Sequence, residues 1–100
     1  MTNTYLYSFR HHVPMDEVED SLLLAALATE SLFGKPLMRM ECRFRLELKR
    51  RICTIDGSTP IGRALASIFT GFLGNEFGDQ GFRLHRLPGS GTVQQKEGVR

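Results

Sequence analysis

Two adjacent histidines, His11 and His12, stand just before a run of carboxylates, Asp16, Glu17, Glu19 and Asp20, and a third histidine, His85, lies near the far end of the chain. Imidazole and carboxylate together are the groups that hold zinc or move protons. Their spacing favours neither task. Adjacent residues of a strand point to opposite faces, and the histidines lack the i, i+4 helical spacing of a zinc-binding pair. The carboxylates have a simpler role in the first turns of a helix, where negative charge meets the positive end of the dipole. Gly57-Ser58-Thr59-Pro60 could cradle a phosphate at a helix N-terminus. It lacks the glycine-rich loop and the lysine of a P-loop, and helix capping accounts for it.

The two cysteines fit neither a metal framework nor a disulfide scaffold. If Met38–Leu48 and Arg51–Asp56 pair as a hairpin, Leu46 faces Cys53. Cys42 then sits four residues along, about 13 Å away at about 3.3 Å per residue, beyond the roughly 7 Å that a disulfide spans. Two reduced, buried thiols are expected. No serine or cysteine stands at a recognisable spacing from a base. The expectation is a protein without catalytic residues, metal or cofactor.

The elements that position these groups follow from periodicity. The central stretch is Met38–Asp56. Apolar residues at 38, 40, 42, 44, 46 and 48 alternate with charged ones at 39, 41, 43, 45 and 47, which predicts a half-buried strand followed by a second, from Arg51 to Asp56. In that register Phe44 meets Ile55, Arg43 meets Asp56 and Arg45 meets Thr54. Upstream, Thr4–His12 reads as a strand with Tyr5, Tyr7 and Phe9 inward and Leu6, Ser8, Arg10 and His12 outward. Met15–Phe33 reads as a helix stopped by Gly34 and Pro36. Its core stripe is Val18, Leu22, Ala25, Thr29 and Leu32. Leu23, Leu24 and Leu27 project to the opposite side, where a monomer should be wet.

A second helix opens at Pro60 behind a Thr59 or Ser58 cap and stops at Gly78. Its inner stripe is Ile61, Leu65, Ile68, Phe69 and Phe72. Arg63 is its only charge before Asn75, and its outer positions are small: Ser67, Thr70, Gly71 and Gly74. Gly81–Leu87 reads as a last strand with Phe82 and Leu84 in, Arg83 and His85 out. The order strand, helix, strand, strand, helix, strand predicts an α+β, ferredoxin-like βαββαβ sandwich. Its antiparallel sheet would have the order 4-1-3-2 and carry both helices on one face. Residues 1–88 form the domain and 89–100 a flexible, glycine-rich tail.

The uncovered sheet face then carries five arginines, at 10, 39, 43, 45 and 83, against Glu41, Glu47 and Asp56. This basic face is a candidate for phosphate or nucleic acid through Arg10, His12, Arg43, Arg45, Arg83 and His85. It lacks aromatic platforms on its own parity. Net charge is +2 over 100 residues, with 41% apolar and 24% charged, ordinary values for one globular domain and too weak a field to imply nucleic acid alone. No apolar run reaches the roughly 18 residues of a membrane span. The polar N-terminus resembles no signal peptide, so a cytoplasmic location is expected. The reading that unites these surfaces is association, as a homo-oligomer (a dimer) or with a partner protein, through Leu23, Leu24 and Leu27 and through the sparsely charged face at Ser67 and Thr70.

Overall fold

A computed structural model describes residues 3–88. The expected tail at 89–100 lies outside the described residues. The elements are β1 (Asn3–Phe9), α1 (Met15–Phe33), α2 (Lys35–Glu41), β2 (Phe44–Glu47), β3 (Ile52–Asp56), α3 (Pro60–Phe77) and β4 (Phe82–Pro88). The four strands form one antiparallel sheet in the order β2-β3-β1-β4.

The register places Tyr7 between Cys53 and Leu84, and Tyr5 between Ile55 and Arg86. Leu46 faces Cys53, Phe44 faces Ile55 and Arg45 faces Thr54. Tyr7, Phe9, Cys53 and Ile55 therefore share one side of the sheet. They pack with Val18, Leu22 and Ala25 of α1 and Leu65, Phe69 and Leu73 of α3 into a single buried cluster. Tyr7 meets Phe69 edge to face, with ring centroids 5.0 Å apart, a favoured aromatic geometry.

The main difference from the sequence expectation lies between Gly34 and Phe44. The strand expected from Met38 is helix α2 as far as Glu41, and β2 keeps only four residues. Among the described residues three helices, not two, accompany the sheet. Lys, Leu, Met, Arg and Glu are good helix formers, no β-branched residue stands between Lys35 and Arg45, and Pro36 occupies the first turn of α2, where its missing N–H is harmless. Gly34, at φ 90°, both ends α1 and redirects the chain into α2. Arg39 and Glu41 thus leave the sheet, and Met40 is exposed.

Smaller differences have similar local causes. β1 ends at Phe9, and the Val13 amide donates to the Arg10 carbonyl (3.1 Å), so the histidines sit in a turn. Leu32, expected in the core stripe, is exposed at the end of α1, and Phe44 and Leu84 are partly exposed on edge strands. Asp56 makes no cross-strand ion pair with Arg43. Its Oδ1 instead accepts the Ser58 amide at 2.9 Å, the local turn bond that aspartate favours.

The sequence did place the start of α3. The Thr59 hydroxyl accepts the Gly62 amide at 3.1 Å and donates to the Glu41 carbonyl at 3.0 Å. Pro60 follows the cap, and Gly78 closes the helix at φ 71°.

Candidate interaction surfaces

α1 carries five acids, Asp16, Glu17, Glu19, Asp20 and Glu30, and no lysine or arginine. Its buried residues are Val18, Ser21, Leu22, Ala25 and Thr29, a stripe at three- and four-residue steps. Opposite them Leu23, Leu24 and Leu27 are 59%, 60% and 62% exposed. At i, i+3 and i+4 these side chains adjoin one another. They form one apolar patch with Asp20 a turn before it and Ser31 a turn after it.

The second surface is the sheet face turned away from the core. Cross-strand partners lie on one face. One row therefore runs Arg45, Thr54, Leu6, His85 and the next Glu47, Ile52, Ser8, Arg83. Arg45, Arg83 and His85 take the face expected of them. Strands are about 4.8 Å apart, so Arg45 and His85 stand about 14 Å apart at the two edges, too far to grip one phosphate. Arg43 lies beyond the start of β2. With Arg45, Thr4, Thr54, Phe44 and Asp56 it borders an open cleft of ≈ 350 Å³. Arg10 is committed elsewhere, its Nε donating to the Gln80 carbonyl at 3.1 Å. His12 is exposed in the turn after β1. The structure therefore does not gather the six expected cationic residues into one site: Arg43 and Arg45 border one cleft, and Arg10 and Arg83 border another. Among the described residues no group of three or more His, Cys, Asp or Glu is placed to hold a metal ion.

The third surface is a cleft of ≈ 280 Å³ between α3 and the β1–β4 edge. Tyr5, Tyr7 and Leu84 form its floor, and Arg63, Ser67 and Thr70 its α3 wall. Ser67 is exposed, whereas Thr70 is half-buried and 2.8 Å from the Tyr7 hydroxyl. Thr70 therefore serves the interior as well as the cleft. Burial pushes the Tyr7 phenol up to about 12, only partly offset by the Thr70 hydrogen bond. Arg86 lies over the Tyr5 ring, 5.8 Å from its centroid, within cation–π range.

Two arginines escaped the sequence reading. Arg86 had a signal: the alternation that puts Phe82 and Leu84 inward puts Arg86 on the same side. Arg51 had none, since it closes a Lys-Arg-Arg run that reads as a solvated turn. Its guanidinium donates to the Arg10 and Val13 carbonyls, while its own carbonyl accepts the Phe9 amide at 3.0 Å. It ties the β2–β3 turn to the β1–α1 connection.

Both cysteines are free. Burial pushes the Cys53 thiol up to about 12, and burial with the Asp56 charge raises that of half-buried Cys42. Neither is an activated nucleophile. Comparisons of this chain with known protein families, with curated proteins and with solved structures find no match.

Proposed function

We propose that this is a small non-catalytic binding domain that acts by protein–protein association, with a second copy of itself as the occupant of the outward face of α1. The observation that carries this reading is the exposure of Leu23, Leu24 and Leu27 on one side of a helix whose other side already fills the core. Fully burying a leucine contributes about 1.5–3 kcal/mol, so each of these retains about 1 kcal/mol or more to be gained by contact. A two-fold pairing would hide both sets, on the order of 8 kcal/mol in gross terms. Association itself costs about 4–15 kcal/mol. At the low end of that cost about 4 kcal/mol remains, so the face supports a weak reversible dimer, about millimolar on its own area. The architecture behind it is read as a ferredoxin-like sandwich with α1 and α3 on one side of the sheet and α2 inserted before β2.

Sedimentation equilibrium tests the proposal. The wild type should associate, and Leu23→Glu with Leu27→Glu should give monomers with an unchanged circular dichroism melt. The rim of the patch is acidic, so raising salt should strengthen the dimer by screening like charges. A wild type that stays monomeric at about millimolar concentration would overturn self-association.

A second reading rests on Arg45, Arg83 and His85 sharing the open sheet face: binding of nucleic acid or a phosphate ligand. Burial of Tyr7 and Phe9 takes away the aromatic platform that stacking of bases requires. Retention of a single-stranded oligonucleotide on filters at low salt, lost steeply as salt rises, would support this reading. No retention would end it.

A further inference from the structure

β4 is an edge strand of seven residues. One side pairs with β1 along its whole length, from Phe9↔Phe82 to Asn3↔Pro88, and among the described residues no strand lies on the other. An edge of this kind presents a row of unpaired backbone donors and acceptors that another extended chain can complete. The opposite edge, β2, has only four residues.

The chemistry around the β4 edge has one sign. Arg83 and His85 project on the open face and Arg86 on the cleft side, and all three are exposed. Arg63 stands across the cleft on α3. Neither β4 nor β1 contains a carboxylate, and the one acid on α3, Glu76, is in its last turn. Cations on an edge oppose pairing with a second β4, which would bring the same charges together. They favour a strand that carries acids. On the cleft side the partly exposed Leu84 and the stretch of the α3 wall beyond Arg63, formed by Ala66, Ser67 and Thr70, suit apolar side chains.

We propose that the β4 edge is a docking site for an extended peptide segment in which acidic and apolar residues alternate. The segment adds as a fifth strand beside β4. Its apolar side chains enter the cleft between α3 and the sheet, and its carboxylates meet Arg83 and His85 on the open face. This accounts for the scarcity of charge at Ser67 and Thr70 on α3, and it does not depend on the leucine face of α1.

The test uses the full chain and a fluorescein-labelled peptide, (Val-Glu) repeated four times, in a polarisation titration at low salt. Saturable binding is expected, with a lysine-for-glutamate peptide failing to bind. Arg83→Glu, a change at an exposed position, should weaken binding roughly tenfold or more. Residues of an extended strand send both N–H and C=O to alternate sides, so N-methylation separates strand addition from mere charge attraction. Methylating either all the valine amides or all the glutamate amides should abolish binding, and methylating the other set should leave it within about twofold. Three results would overturn the proposal: no binding of the parent peptide at low salt, equal binding of both methylated peptides, or a dimer of the free protein in which the β4 amides turned away from β1 are already protected from exchange.

Discussion

Adding one methyl group to the helix α3 should have opposite effects at two glycines nine residues apart. Gly62 is buried in the first turn, against the end of β3. A Cβ there would fall inside the contact radius of the Asp56 carbonyl oxygen, with the carbonyl carbon at 3.1 Å and Thr59 Oγ1 at 3.2 Å. Gly71 is exposed in mid-helix and a Cβ there meets nothing within 4 Å. Alanine is favoured over glycine in a helix by about 1 kcal/mol, so Gly71→Ala should stabilise by about that amount. At Gly62 the same gain is set against overpacking of backbone, about 1–3 kcal/mol, and against loss of the Thr59 cap, about 1 kcal/mol. The net effect is a loss of about 2 kcal/mol. A domain of this size shifts its Tm by about 4–8 °C per kcal/mol. Gly62→Ala should melt roughly 10 °C below the wild type and Gly71→Ala about 5 °C above it, by circular dichroism, with urea midpoints moving in the same sense. A Gly62→Ala variant as stable as Gly71→Ala would refute the close approach of α3 to β3, and with it the orientation of the helix that walls the cleft.

Arg51 stands at φ 58°, a conformation that disfavours a non-glycine residue by about 1–2 kcal/mol. Arg51→Ala should lose about 2 kcal/mol from the two carbonyls left without their donor, while Arg51→Gly should recover about 1 kcal/mol of that by relaxing the turn, both read from urea midpoints. The raised Cys53 and Tyr7 values fix the sign of the alkaline response: both groups bind their protons more tightly folded than unfolded. Their contribution is fully present below the ordinary thiol value, about 8.5, and is lost as pH climbs towards about 12. Urea midpoints should therefore be flat with respect to these groups up to about pH 8.5 and fall above it, less steeply in a Tyr7→Phe variant. Titration with a disulfide reagent at pH 8 should modify Cys42 slowly and Cys53 only when the protein unfolds. Simultaneous release of both thiols in the native state would contradict the burial of Cys53.

The sequence was most informative where one signal acted alone. α1 runs from Met15 to Phe33 as its periodicity and its glycine stop require, and the aromatic residues of β1 share one face as spacing two requires, although the spacing alone left open that this face is the one packed against the helices. The pairing of Leu46 with Cys53 follows from the same alternation. Residues 38–41 are helix instead of the expected strand because two periods overlap there. Met38, Met40 and Cys42 alternate with charges as a strand would, yet the residue types are those of a helix, and Pro36 marks a helix start as well as it marks a stop. The surface residues divide in the same way. The exposure of Leu23, Leu24 and Leu27 was legible from α1 alone. The grouping of Arg43 with Arg45 at one cleft and of Arg10 with Arg83 at another, with His12 apart in the turn, was not, since it depends on where β1 ends and β2 begins. The end of β1 is held by tertiary hydrogen bonds from the Arg10 amide to the Gly81 carbonyl and from Arg10 Nε to the Gln80 carbonyl, which leave no trace in local pattern.

The Thr59 hydroxyl joins two helices through a single oxygen. It receives the Gly62 amide in the first turn of α3 and gives its proton to the last carbonyl of α2. Peeling the short helix away would strip a partner from the atom that caps the long one, so the two should open together as one cooperative unit instead of α2 fraying by itself. A seven-residue helix with no fully buried side chain would thereby borrow its persistence from its neighbour, and the loop that leads into β2 would be as firmly anchored as the start of α3.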